Sequence, residues 1–486
     1  MTGLLPILLA LGLLMLLAFR GVTLLILAPL MALLAAALSG ALPLLGSYTQ
    51  IFMTNTGDFI IAFFPLFFLG AIFGKLMDDS GAARSIGHWI IGKLGAEKAV
   101  LAVVLVCALL TYGGVSLFVV AFAIYPIAVA LFRDANVPKR LIPGALALGA
   151  FAFTMSAMPG SPAIPNAIPM PFFGTTAFAA PGLGLIASAI MLGLGMLWLN
   201  RRVAQASASG EGYGQHEDNV PETTPEMREI TQTEGFDLNE LDGAAAGATL
   251  RSEPSFALSV APVILVIAVN FLFLQLVLPR MDTGFLALPL FGETSIEAVR
   301  GVWSIVVALL VSIAFLLATS WRRLADPKRS LNQGADASVL PIFNTASLVG
   351  FGGVIAALPA FETITDAMLR LSDGNPLVSV AVSVATLSAI TGSASGGMSI
   401  ALDALGSTFV SIAAQTGTSL EAMHRVAAVA AGSLDCLPHN GAVITVLGIC
   451  KLTHKEAYFD IFMVAVVFPL ISLVAIIALA TVFGGF

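Results

Sequence analysis

Two short polar runs interrupt sequence that otherwise reads as membrane helix, and they restrict the possible folds more than any other feature. The first is Thr391-Gly-Ser-Ala-Ser-Gly-Gly-Met-Ser399 and the second is Leu434-Asp-Cys-Leu-Pro-His-Asn-Gly441. In hydrocarbon, a backbone group released from helical pairing is costly unless protein or a water-filled cavity satisfies it, and so is an ionisable side chain. Glycines, prolines and small hydroxyls clustered at membrane depth therefore mark broken helices that line a site. The stretch from Ser388 to Thr445 is read as half of the binding site of a membrane carrier.

Composition agrees with a bilayer as solvent. Of 486 residues, 58% are hydrophobic and 10% charged, where soluble proteins carry roughly 25% charged residues. The 46 glycines and 32 phenylalanines suit close helix packing in lipid. The expected class is an all-α polytopic membrane protein. The net charge of -7 is local. Eleven of the 29 acidic and four of the 22 basic residues lie between Asn200 and Phe256, which leaves 18 of each elsewhere. No basic stripe suits a nucleic acid, so no nucleic-acid partner is expected. Cys107, Cys436 and Cys450 follow no metal-ligand spacing. No metal and no cofactor is expected, and Cys436 reads as a small apolar filler.

Apolar spans run about Leu4–Ala18, Val22–Leu45 and Phe59–Leu76, and Ala82–Leu94 has the mixed polarity of an interfacial segment. Arg20 follows the first span with no basic residue before it, which puts the N-terminus outside. Val100–Phe132 has Lys98 before it and Arg133, Lys139 and Arg140 after it, so it enters from the cytoplasm and returns. Its middle, Thr111-Tyr-Gly-Gly-Val-Ser116, is a hairpin tip. Beyond Leu141, Pro159, Pro162, Pro165 and Pro169 break the next helix. Leu183–Leu199 then returns to Arg201 and Arg202.

The second half repeats that order. Spans near Leu258–Val277, Val302–Ala318 and Val339–Leu358 lead to a hairpin, Val378–Ala414, entered from the external side where Glu362, Asp366 and Asp373 dominate. Arg425, the second break and a last span, Phe459–Val482, follow. Gly114 to Pro159 is 45 residues and Gly397 to Pro438 is 41. A hairpin with a glycine pair, an arginine and a broken helix thus occur twice, with the hairpins on opposite faces. This is the mark of an inverted repeat, whose site lies at the repeat interface near the midplane. About 12 membrane segments are expected. The organisation is an N-terminal span (1–21), a first repeat (22–199), an acidic disordered cytoplasmic linker (200–255) with a short helix within Glu226–Leu241, and a second repeat (256–486).

These residues carry a resemblance. Gly392-Ser-Ala-Ser-Gly-Gly397, His424-Arg425-Val426, Leu434-Asp-Cys-Leu-Pro-His-Asn-Gly-Ala-Val-Ile-Thr445 and Leu452-Thr-His-Lys-Glu456 resemble the gluconate:proton symporter (GntP) family. The Gly-Ser run looks more like its 3-hydroxybutyrate permease branch than its gluconate carriers. The resemblance implies a bacterial inner-membrane permease of the ion-transporter superfamily. It implies proton-coupled uptake of a small hydroxy-carboxylate such as 3-hydroxybutyrate or gluconate, re-entrant hairpins and a homodimer.

The chemistry can be argued beside the family. A small organic anion needs donors, and helix N-termini at tips and breaks provide unpaired N–H groups and positive dipole ends. Gly396 and Gly397 permit close backbone approach, and Ser393, Ser395 and Ser399 add hydroxyls, with Asn440 beside them. In the first half, Thr111, Tyr112, Gly113, Gly114, Ser116, Ser156, Ser161 and Asn166 offer the same. The plain alternative is close helix packing at Gly392-xxx-Gly396. Asp435 and His439 are the expected coupling residues: His439 suits proton transfer, and Asp435 can carry a proton or help hold a cation. The plain alternative is a histidine bonded to a backbone carbonyl and an aspartate capping the helix after Pro438. Asp403, His424 and Arg425 read as solvated residues at membrane ends.

Competing functions are a sodium-coupled carrier of another organic anion and an intramembrane hydrolase. The hydrolase is disfavoured because Ala394 stands where a Gly-x-Ser-x-Gly elbow needs serine. A channel would show charged rings or a repeated filter. The inverted repeat predicts that a cysteine introduced at position 135 is labelled from the cytoplasmic side and one at position 373 from outside. Labelling of both from one side would refute it.

Overall fold

The computed structural model describes residues 4–18, 20, 22–216, 253–363 and 375–486. Most of the acidic linker, with the short helix expected within Glu226–Leu241, and Asp366 and Asp373, lie outside the described residues. Every regular element among the described residues is helical, as lipid requires of a chain that does not close into a barrel. The protein is an all-α polytopic membrane protein.

The first half contains α1 (Leu5–Ala18), α2 (Leu24–Ser39), α3 (Leu44–Asp79), α4 (Ala82–Leu94), α5 (Ala99–Tyr112), α6 (Leu117–Asp134) and α7 (Ile142–Ala150). Three helical pieces, Phe153–Ser156, Ile164–Ala167 and Pro169–Phe173, fill the proline-rich break before α8 (Pro181–Ala208). The second half contains α9 (Phe256–Arg280), α10 (Ile296–Ser320), α11 (Pro327–Asp336), α12 (Val339–Ala356), α13 (Pro376–Thr391), α14 (Ala394–Thr416), α15 (Leu420–Leu434), α16 (Gly441–Ile449) and α17 (His454–Phe483).

Among the described residues, eight helices are long and apolar enough to cross a membrane, or nine if α4 and the helix after it count as one bent span. Shorter apolar helices, α1, α2 and α13, supply further expected segments. With 14 residues, α1 reaches about 21 Å, short of the roughly 30 Å of hydrocarbon. The ends of the N-terminal span expected over 1–21 lie outside the described residues. Helix α1 packs on α2, and the pair builds a separate apolar cluster with Phe52, Leu348, Phe351 and Ile400. The bend of 108° after α4 turns this helix across the direction of α5, as an interfacial segment requires.

Both hairpins form where the sequence placed them. Their tips turn at glycines in the left-handed region, Gly114 (φ 94°) and Gly392 (φ 63°), where a Cβ would be strained. The two halves pack alike: the first hairpin arm lies on the helix before the break, α5 on α7 and α13 on α15.

The linker boundary moves. Helix α8 continues through Ala208, and Arg202 Nε reaches the buried Asp460 carboxylate at 2.9 Å. Past the helix, Arg140 donates to both Glu211 oxygens at 2.7 and 2.8 Å. These bonds hold the Glu211 carboxyl below the usual carboxylate range. Tyr213 is buried, and its N–H donates to Asn136 Oδ1 at 3.1 Å. At the other end, Ser85 Oγ donates to Pro254 O at 2.7 Å and Trp89 stacks on Phe256. The first and last described stretches of 200–255 are therefore docked on the membrane part, at the two edges of the segment expected to be largely disordered.

Arms α13 and α14 approach most closely at Gly397, where a Cβ would lie 2.2 Å from Ser388 N. Overpacking here cannot be relieved by a side-chain rotation, because the obstacle is backbone. Gly397→Ala should therefore cost about 1–3 kcal/mol and lower the detergent melting temperature, whereas Gly12→Ala, with nothing within 4 Å, should not. Equal melting temperatures would contradict the packing.

Candidate functional site

Both tips and both breaks meet around one cavity of about 290 Å³, at the small end of ligand sites, roughly 300–1,000 Å³. Leu66, Phe67 and Gly70 of α3 and Leu348 of α12 supply apolar wall. The polar wall carries hydroxyls of Thr111, Ser116, Ser338, Thr345, Ser393 and Ser395, the amides of Asn344 and Asn440, and one carboxylate, Asp435. No lysine or arginine is among the lining residues.

Three helices start at this wall. Ser116, Ser393 and Asn440 are the N-cap residues of α6, α14 and α16, and all three line the cavity. Ser393 Oγ accepts from Gly396 N at 3.2 Å, and Asn440 Oδ1 accepts from Val443 N at 3.0 Å. The positive ends of three helices thus face one small space, which favours an anion. Thr111 Oγ1 and Asp435 Oδ1 are buried without a hydrogen-bond partner. A bound solute or ion would satisfy them.

The breaks are held by side chains that bond freed carbonyls. Asn440 Nδ2 donates to Gly392 O at 2.6 Å, and His439 Nε2 lies 2.9 Å from Ala389 O, so that nitrogen carries the proton. The second break is thereby tied to the second tip. Its own carbonyls are met from α17, by His454 Nε2 on Pro438 O at 2.8 Å and Tyr458 OH on Cys436 O at 3.2 Å. In the first half, Tyr112 OH donates to Pro159 O at 2.8 Å, tying tip to break in the same way.

Of the residues proposed from sequence, Thr111, Gly114, Ser116, Ser393, Ser395, Asp435 and Asn440 line the cavity. The others stand behind it. Gly113 faces Val263, and Gly396 faces Leu348. Gly397 faces the α13 backbone, so packing is the role of this pair. Ser156 Oγ donates to Ala152 O at 3.1 Å, and Ser399 is buried inside α14. Asn166 Nδ2 donates to Ser161 O at 2.8 Å. Asn440, not Asp435, caps the helix after Pro438.

Two groups escaped the sequence reading. Ser338, Asn344 and Thr345 lie in or beside an apolar span whose few polar residues gave no motif. His424 and Arg425 were placed at a solvated membrane end, yet both are wholly buried, while Asp403 is exposed. An arginine near a helix end ordinarily snorkels to water. Here the break of the other half covers it and supplies the acceptors, a contact remote in sequence.

No protein-family model matches the chain. It is 43% identical over 485 residues, 98% of either chain, to the uncharacterized transporter YxjC of Bacillus subtilis (strain 168). A stretch of 98 residues, 20% of this chain and 22% of the relative, is 33% identical to the high-affinity gluconate transporter of Escherichia coli (strain K12). The fold is similar to the crystal structure of the Alcanivorax borkumensis YdaH transporter, described as having an unusual topology. The TM-score is 0.52 at 15% identity, over 90% of this chain and 88% of that one.

Asn440→Ala removes a helix cap, about 1 kcal/mol, and leaves Gly392 O unbonded, about 1–3 kcal/mol. Melting in detergent should fall clearly, and less for Asn440→Asp, which keeps the cap acceptor. A wild-type melting temperature in Asn440→Ala would show that the tie carries no weight.

Proposed function

The chain belongs to the transporter family of YxjC, and from that premise we propose that it takes up a small hydroxy-carboxylate together with a proton across the bacterial inner membrane. The observation that carries this reading is the cavity itself. It is small, ringed by hydroxyl and amide groups, faced by three helix N-termini, and its one ionisable lining residue is an acid. The donors suit a carboxylate, and the hydroxyls suit a hydroxyl-bearing solute. With no lysine or arginine on the wall, a second carboxylate of a dicarboxylate has no matched partner. This supports a monocarboxylate, and the Gly392-Ser-Ala-Ser-Gly-Gly397 run keeps 3-hydroxybutyrate ahead of gluconate as the candidate solute. The local similarity to a gluconate transporter supports the same solute class.

Coupling follows from charge. An anion beside ionised Asp435 puts two negative charges at membrane depth, which is unfavourable unless one is neutralised. A proton on Asp435 does this directly. A sodium ion beside its buried Oδ1 is the second reading, favoured by the lack of a hydrogen-bond partner there. His439 acts differently from the expected coupling role: bonded to Ala389 O, it holds the tip against the break.

Counterflow in proteoliposomes with a panel of hydroxy acids tests the solute. Tight binding of citrate or succinate, with no response to 3-hydroxybutyrate or gluconate, would overturn the assignment. In the same vesicles, Asp435→Asn should abolish accumulation driven by a pH gradient while exchange survives, because exchange does not require the empty carrier to release its proton. His439→Ala should weaken accumulation and exchange together. Full pH-driven accumulation in Asp435→Asn would place the coupling group elsewhere.

A further inference from the structure

Among the described residues, Arg425 is the largest fully buried side chain. It sits on α15 of the second half, yet its described hydrogen-bond acceptors all belong to the break of the first half. Nε and Nη2 donate to Ala179 O at 3.1 and 2.8 Å, Nη2 also to Ala177 O at 3.3 Å, and Nη1 to Ser156 O at 3.3 Å and Asn166 Oδ1 at 3.0 Å. Every one of these acceptors is neutral. Its counterpart in the first half, Arg140, instead bonds two carboxylates, Glu211 and Asp460.

The surroundings keep the guanidinium uncompensated. Asn166 Nδ2 donates to Ser161 O and Ala177 O, which turns its Oδ1 toward Arg425 and His424. His424 Nε2 therefore donates to Asn166, while Nδ1 accepts from the Thr175 hydroxyl at 2.6 Å. That pattern needs only a neutral imidazole. A buried cation with neutral partners is a poor source of stability, since apolar residues often replace buried charges without loss. Its position suggests another use. Ser156 and Asn166 are the chain neighbours of Met155 and Pro165, which line the cavity. The guanidinium thus bonds the chain neighbours of two lining residues, behind the wall formed by the first break.

We propose that Arg425 is the positioning residue that makes the cavity select anions. It holds the first break in place and adds a positive field to a site whose only lining charge is negative. The pair also accounts for charge balance during transport. The empty site is neutral with Arg425 positive and Asp435 ionised. Loading a carboxylate together with one proton on Asp435 keeps it neutral. Either form can reorient without carrying a net charge through hydrocarbon. The proposal rests on the carriage of a hydroxy-carboxylate proposed above.

The test compares 3-hydroxybutyrate with its uncharged amide as inhibitors of exchange in proteoliposomes. Arg425→Gln should reduce the preference for the carboxylate over the amide on the order of tenfold, the scale of one charge acting over about 12 Å at an effective dielectric of about 20. Arg425→Lys should retain most of that preference. Asn166→Asp offers an independent route, since it leaves the arginine in place and sets a carboxylate against it. It should reduce the preference as Arg425→Gln does. A merely structural role would weaken both inhibitors alike. An unchanged carboxylate-to-amide ratio in Arg425→Gln, or in Asn166→Asp if the former does not fold, overturns the proposal. The wild-type protein separates the two claims: if it exchanges no hydroxy acid, the solute assignment fails, whatever the variants do.

Discussion

A carbonyl released from a helix inside a bilayer has no water to turn to, and most of this molecule's site follows from where such carbonyls find donors. Each break frees several. In the second half, His439 and Asn440 meet Ala389 O and Gly392 O at the tip, and His454 and Tyr458 meet Pro438 O and Cys436 O in the break. In the first half, Tyr112 meets Pro159 O, and Arg425 meets Ser156, Ala177 and Ala179. Several of these donors come from another element, so satisfying the backbone also assembles the cavity.

The same bonds link the two halves. Arg425 crosses into the first break, and Arg140 crosses to Asp460 of α17, where Trp198 Nε1 and Arg202 Nε also donate. Each arginine precedes a break in one half and bonds the other. The docking of Glu211 on Arg140 brings the start of the acidic segment into this network.

Transport chemistry then reduces to charge at depth. The wall has one acid and no base, helix N-termini supply partial positive charge, and the Arg425 guanidinium bonds the first break behind it. Such a site discriminates by what it neutralises rather than by a direct ion pair, which suits a carrier that must release its solute as well as bind it.

Much of this was legible in the residues. Glycine pairs, prolines and hydroxyls inside apolar runs located both hairpins and both breaks, because few other things explain them in lipid. Asp435 and the hydroxyls of Thr111, Ser116, Ser393 and Ser395 were found for the same reason. What the chain order could not say is which side of each helix meets which neighbour. Gly396, Gly397 and Ser399 share a run with the lining serines but face helix packing, since positions along a helix turn by about 100° per residue. Asn344 and Thr345 reach the cavity from a span with no motif. Arg425 is read as solvated from its place near a helix end, and only the cover provided by a break some 250 residues earlier in the chain makes it a buried cation. Local sequence determines where hydrocarbon forces a helix to break; the partner that satisfies the break is a matter of tertiary structure, because that partner lies far away in the chain.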